Sequence, residues 1–305
     1  MYYKYIGEDK NTGVVRYSFL SDGYFRFTQP EFLNDPKEAK PKLFIEEYSP
    51  KDIELARVPK DSVDLFHLAG MTDEQIISAC LEPFPKNRYG DLLPHLLHQE
   101  GFKSMQEYDE AVLTTTYQRF DVQLNKEVGV FSLSKDNKNE VMWANYANDY
   151  NGIVVGFSED IEYIHGYIKN NINYDISSVG FELSLNSGII RFNGIKVSDD
   201  NDDFNITDDL LASFLFHKTE KWSPEKEYRL ISRLSLSDKK IDDVYLERIP
   251  FSVYESLFIG CNVPKSVREE IVSAIKSNSS LNHIKVFNQT FHKLTGDIEY
   301  VNICL

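Results

Sequence analysis

An α+β fold is what this sequence predicts, with a central mixed or antiparallel sheet, flanking helices and a mainly helical insertion at about residues 52–124. Three observations carry that expectation. Val130, Ser132 and Ser134 alternate with Phe131 and Leu133, the period of a strand with two unlike faces. Trp143, Tyr146 and Ala147 then recur at i, i+3 and i+4 on one helical face, and Ile153–Phe157 is a run of β-branched and aromatic residues. Between Asp52 and Leu124 the alternation gives way to helical spacing, punctuated by Pro83, Pro85 and Gly101. At 305 residues and 42% hydrophobic the chain can bury a large core, and residues 1–305 read as one domain carrying the helical lobe.

Taken in order, Tyr2–Ile6 opens as a strand, and Val14–Leu20 with Tyr24–Thr28 reads as a strand pair about a Ser21-Asp22-Gly23 turn. Two prolines then brace Phe27–Pro36, where Pro36 keeps Asp35 out of helical geometry and fixes the directions of Asn34 and Asp35. Helices are expected over Asp73–Leu81, Asp91–His98 and Ser104–Leu113, the second with Pro94 in its tolerant first turn. In the centre, Asn137 is placed to cap a helix with Glu140 closing a capping box, and Gly152 to leave it at positive φ. Glu159–Asn170 reads as helical, Gly180–Val197 as strand and turn, and Ser198–Asp209 as an acidic loop into a helix at Leu210–Lys218. Lys221–Leu234 passes from turn to strand, Leu257–Gly260 and Ile284–Gln289 are strands, and Pro264 starts a helix over Lys265–Lys276. Phe131–Ser134, Ile153–Phe157 and Tyr228–Ser232 should share a sheet, with Trp143 buried against it.

Charge narrows the partners. A formal net charge of -15, from 48 acidic and 33 basic residues, argues against nucleic acid or an anionic membrane as the main partner. A small molecule or a protein is left, and the oligomeric state stays open. Cys80, Cys261 and Cys304 are odd in number, far apart and without zinc spacing, which fits free, mostly buried thiols in a reducing cytoplasm. The N-terminus has no apolar signal core and no run reaches membrane-spanning length. No metal site is expected: His95-Leu96-Leu97-His98 lacks a Glu between its imidazoles and a third ligand. Asp199-x-Asn201-x-Asp203 starts like a calcium loop, but Phe204 stands where glycine is needed and Leu210 where a bidentate Glu is. Glycine-rich phosphate loops, a Gly-x-Ser-x-Gly elbow and a dinucleotide fingerprint are all absent.

Four blocks stand in a characteristic order: Tyr3-Lys4-Tyr5; F-x-x-P-x-F-L-N-D-P at Phe27–Pro36; F-S-L-S, M-W-A-N-Y-A and G-I-V-V-G-F within Phe131–Phe157; and K-W-x-x-E-x-E-Y-R-L-I at Lys221–Ile231. Together they resemble a bacterial domain family of unknown function, DUF2971. The chain departs from that pattern at Lys37, where an aromatic is expected, and at Asn145, where a histidine is common.

A second similarity concerns chemistry. An early arginine (Arg16 or Arg26), Ser132-Leu133-Ser134 and Glu225-Lys226-Glu227 follow one another as in the arginine-serine-glutamate class of ADP-ribosyltransferases. That resemblance implies NAD as co-substrate, Glu227 stabilising an oxocarbenium-like transition state and Glu225 positioning or deprotonating the acceptor. The arginine would hold the diphosphate, Ser132 and Ser134 would face the cofactor, and Tyr146 or Trp143 would stack on nicotinamide. Such an enzyme would suit a bacterial defence or toxin effector. The plainer alternative is a non-catalytic ligand-sensing or protein-interaction module, with Ser-x-Ser a solvent face and Trp143 core. Asn34 and Asp35 are further pocket candidates, or an Asx-turn. Arg229, two residues past Glu227, is expected to pair with Glu227, Asp35 or Asp149.

Overall fold

The computed structural model describes residues 1–8, 15–35, 38–40, 42–45, 50–55, 57–81, 101–164, 166–174, 182–186, 189–192, 195–198 and 203–304. The expected Asp91–His98 helix, with His95 and His98, lies outside these residues, as do Val14, Pro36, Lys37, Asp199 and Asn201. The fold is α+β. Its strands are β1 Tyr2–Ile6, β2 Tyr24–Phe27, β3 Lys42–Ile45, β4 Val128–Ser134, β5 Ile153–Phe157, β6 Ile168–Asn171, β7 Glu182–Asn186 and β8 Ile189–Phe192. They continue as β9 Ile195–Ser198, β10 Glu227–Arg233, β11 Lys239–Ile241, β12 Val244–Arg248, β13 Tyr254–Ile259, β14 Lys285–Phe291 and β15 Ile298–Ile303. Among the described residues no helix is long and apolar enough to cross a membrane.

The chain divides into two compact units. One comprises Pro41–Gln123 and Gly180–Thr207. It contains the helices Pro50–Leu55, Lys60–Leu68 and Asp73–Cys80, most of Met105–Glu127, and a sheet ordered β3-β7-β8-β9. Thr72 and Gln75 close a reciprocal capping box at the start of Asp73–Cys80, satisfying two amides a helix end otherwise leaves bare.

The other unit comprises Met1–Lys40, Leu124–Val179 and Asp208–Leu305. An eight-stranded sheet ordered β15-β14-β13-β5-β1-β4-β10-β6 forms its body, beside a small sheet ordered β11-β12-β2. All pairs in the large sheet are antiparallel except β13 with β14, so β4, β5 and β10 share one mixed sheet as expected. Period-two alternation sorts side chains onto its two faces. Tyr2, Phe131, Leu133, Ile153, Val155, Phe157, Leu257 and Ile259 join the larger core, together with Ile271 and Ile275 of the Lys265–Ser277 helix. Tyr5, Val154 and Phe258 point the other way, onto Trp143 of the Glu140–Tyr146 helix. Trp143 is fully buried, stacked on Tyr150 and edge-on to Tyr5.

Four local expectations are corrected. Val15 makes only an isolated bridge to Glu8, and Phe19–Asp22 form one helical turn, not a strand. Consecutive Phe19 and Leu20 are both buried, which a helical turn allows and an alternating strand does not. Asn139, not Asn137, caps the Glu140–Tyr146 helix, its Oδ1 accepting from the Met142 amide at 3.1 Å. Asn137 instead offers its carbonyl to Trp143 Nε1 at 2.8 Å. The exit from that helix is made by Asn148, Asp149 and Tyr150 at φ 48, 49 and 64, not by Gly152. Gly152 is required by space: a Cβ there would lie 2.2 Å from the Ile6 carbonyl oxygen. Finally, Glu159–Asn170 is a short 3₁₀ turn, Glu159–Tyr163, followed by β6, because β10 offers Ile168–Asn171 a free sheet edge.

Candidate functional site

Strand β10 places Glu227 and Arg229 on the face shared with Ser134 and Ser132, their register partners on β4. Glu225 is not on the strand. It ends the 3₁₀ turn Glu220–Glu225, and Lys226 at φ 47 turns the chain into β10. The two carboxylates therefore converge through a left-handed kink and not through strand alternation. What joins them is Lys218, whose Nζ donates to Glu225 Oε2 at 2.6 Å and Glu227 Oε2 at 3.1 Å.

Arg229 completes the network from within. Fully buried, it donates from Nε to Glu227 Oε1 at 2.7 Å, from Nη2 to Glu227 Oε2 at 3.0 Å, and from Nη1 to the Leu215 carbonyl at 2.6 Å. Its Nη2 also donates to Glu38 Oε1. The expected alternatives, Asp35 and Asp149, are not its partners: Asp35 accepts from Thr219 Oγ1 at 2.8 Å, and Asp149 is exposed. Three carboxylates (Glu38, Glu225, Glu227) thus share two cations (Lys218, Arg229), all of them buried.

Electrostatics separates their roles. Burial alone would push the Glu227 carboxyl up, but Arg229, then Lys218, with hydrogen bonds from Arg229 and Ser132, hold it at about 2. Burial dominates at Glu38 and raises it despite Arg229 and Lys218. At Lys218 burial is outweighed by Glu227, Glu38 and Glu225, so the ammonium is held above its usual range. Since Glu227 ionises far more readily folded than unfolded, its stabilisation is complete above about pH 4.5 and is lost as pH falls toward about 2. Glu38 has the opposite sign. Urea midpoints between pH 5 and about 2.5 are expected to fall more steeply for the wild type than for Glu227→Gln.

Above this network lies a cavity of about 200 Å³ lined by Lys4, Thr28, Phe32, Asn34, Ser132, Tyr146, Lys218, Glu225 and Glu227, among others. Tyr146 donates its hydroxyl to Glu225 Oε1, and Asn34 Nδ2 reaches the same oxygen at 3.3 Å. Asn34 also donates to the Tyr146 hydroxyl and accepts from Lys218 Nζ at 3.0 Å. The braced turn is therefore a wall of the site. A larger recess of about 540 Å³, lined by Arg248, Phe251 and His283, has no carboxylate among its lining residues, and His283 Nε2 is tied to the Tyr254 carbonyl oxygen.

The remaining sequence candidates divide. Ser134 is fully buried and donates to the Glu225 carbonyl at 2.7 Å, so it braces the turn behind the cavity. Trp143 is enclosed by protein and has no face left for a ligand. Arg16 is exposed, and Arg26 is half-buried with its guanidinium over Phe32; neither lines the cavity. Sequence reasoning passed over Lys4, Glu38 and Lys218. The one available signal was a lysine inside the otherwise apolar and aromatic run Tyr2–Ile6. Among the described residues no cluster of three His, Cys, Asp or Glu side chains forms a metal site.

No curated protein matches this chain, and no solved structure does. The model of a family described as protein of unknown function, DUF2971, matches residues 142–230. That segment carries Tyr146, Lys218, Glu225, Glu227 and Arg229, and over it the chain is DUF2971-like.

Proposed function

We propose that the cavity binds a small polar ligand and that the chain acts as a non-catalytic ligand-sensing module. One observation carries this: the Glu227 carboxylate has about four acceptor positions, and buried cations of the protein take three of them. These donors are Arg229 Nε, Arg229 Nη2 and Lys218 Nζ. Such a carboxylate is committed to its own cations and is poorly placed to take a substrate hydroxyl. Glu225, Asn34 and Tyr146 are the groups better placed to meet a ligand. The volume supports the same reading, since about 200 Å³ lies below the roughly 300–1,000 Å³ usual for sites that enclose drug-sized molecules. Cys80, Cys261 and Cys304 are free, which fits a cytoplasmic setting, but Cys80 and Cys304 are exposed and not buried as expected.

A second reading is NAD-dependent ADP-ribosyltransferase-like chemistry, as a defence or toxin effector would use. It is favoured by Ser132, Glu225 and Glu227 all lining one cavity. One variant separates the two. In the sensing reading, wild-type protein releases no nicotinamide from NAD above buffer. Glu227→Gln then loses about 3 kcal/mol, because its cations are left short of a partner. In the transferase reading, wild type releases nicotinamide and Glu227→Gln lowers the rate about a hundredfold with the melt unchanged. Nicotinamide release by wild type would end the sensing proposal.

A further inference from the structure

Strands β1 and β4 are neighbours in the sheet, yet their register holds at one pair only, Tyr3 with Ser134. Past that pair the strands part. The Ser132 carbonyl, which a β1 amide would otherwise take, accepts from Lys4 Nζ at 2.9 Å. At Val130, two residues earlier on β4, Thr28 takes over with both of its backbone bonds at 2.8 Å. The cavity occupies this split, so Lys4 is both a substitute for the missing ladder bond and part of the wall.

A lysine here is an unusual choice. Its Nζ lies 4.6 Å from the centroid of the Phe131 ring, and among the described residues no carboxylate comes within ion-pair distance of it. Glu227 is the nearest acid in effect, but its oxygens are committed to Arg229 and Lys218. Desolvation therefore dominates, and with Arg16 and Arg229 it outweighs Glu227 and lowers the Lys4 amine to about 8. Arg26 shows the same want of an anion. Its Nε is buried without a hydrogen-bond partner, and its guanidinium packs on Phe32, a wall of the same cavity. Burial and the nearby Arg16 both lower its basicity. Lys4 on the cavity wall and Arg26 behind Phe32 are thus two cations without an ion-pair partner among the described residues, in a chain of net charge -15.

We propose that Lys4, backed by Arg26 behind Phe32, receives an oxyanion group of the ligand, a carboxylate or a phosphate, at the split between β1 and β4. This rests on reading the cavity as a ligand site. The anion supplies the charge this corner lacks, accepts from an ammonium hydrogen not engaged by Ser132, and favours protonation of Lys4 on binding. Ligand binding is accordingly coupled to proton uptake near pH 8. Titratable groups that line the cavity with Lys4 are Tyr3, Tyr5, Tyr146, Lys218, Glu225 and Glu227, while Arg229 of β10 and Arg16 ahead of the Phe19–Asp22 turn also bear on it.

The test is site-resolved reductive methylation of the intact chain with formaldehyde, a neutral reagent, read by fragment mass spectrometry from pH 6 to 10. Without added anion Lys4 is expected to label with a midpoint of about 8, well below exposed lysines. Millimolar inorganic phosphate or acetate should move the midpoint up; a one-unit shift slows labelling at pH 8 about fivefold. Which of the two protects distinguishes phosphate from carboxylate. Arg26→Gln should keep the melt and lose the protection. Protection by neither anion overturns the proposal, as does protection that survives Arg26→Gln or a Lys4 midpoint equal to that of exposed lysines. None of these results bears on nicotinamide release by Glu227→Gln, so the wider reading of the cavity stands or falls separately.

Discussion

Replacing Arg229 with Leu is expected to remove roughly 3–5 kcal/mol of folding stability, the scale for breaking a buried ion pair from one side. The guanidinium satisfies both oxygens of Glu227, one of Glu38 and the Leu215 carbonyl, all inside the protein. Without it, three buried carboxylates retain Lys218 alone. The nearest response is protonation of Glu38, already raised by burial, and then of Glu227 as its restraint at low pKa disappears. The variant should therefore recover stability on mild acidification, over a range where the Glu227 contribution of the wild type is still complete. Urea unfolding at pH 7 and pH 5 reads both effects. A loss below about 1 kcal/mol at pH 7 would show that the network contributes little net stability, as apolar replacements of buried ion clusters sometimes do.

Trp143→Ala carries the second large penalty, also roughly 3–5 kcal/mol. The ring is fully buried between Tyr5 and Tyr150, and its Nε1 holds the Asn137 carbonyl, which also accepts from Tyr300. Truncation leaves a cavity on this face of the sheet and frees the Asn137 turn. Trp143→Phe should restore much of the packing but not the hydrogen bond, placing it between the two in thermal melts. An unchanged melt for Trp143→Ala would assign the indole to something other than the core.

Trp143, β4, β5 and β10 were legible because periodicity is local: a strand or an amphipathic helix repeats its apolar signal within a few residues. Glu225 and Glu227 could be picked out as a pair, though the kink at Lys226 that brings them together could not. Lys218 and Glu38 left no trace, since an ion pair across 191 residues such as Glu38 with Arg229 imposes no pattern on either neighbourhood. The left-handed run Asn148–Tyr150 was hidden by Gly152, which looked like the residue built for that task. Its real constraint is the closeness of the Ile6 carbonyl, a tertiary fact. Lys4 was quoted within a recognisable block, yet its meaning depends on where β1 and β4 diverge.

The position of β1 also sets a timetable for synthesis. β1 belongs between β5 and β4, so the partner with which it pairs along its whole length is complete only at Phe157. At the usual pace of about 5–20 residues per second, Tyr2–Ile6 waits roughly 10–30 s for β5 to be made. β10, which carries Glu227 and Arg229 of the ion network, comes later still. During that interval a nascent strand rich in tyrosine has both edges open, a state in which chaperone capture or pairing with a neighbouring nascent chain competes with folding.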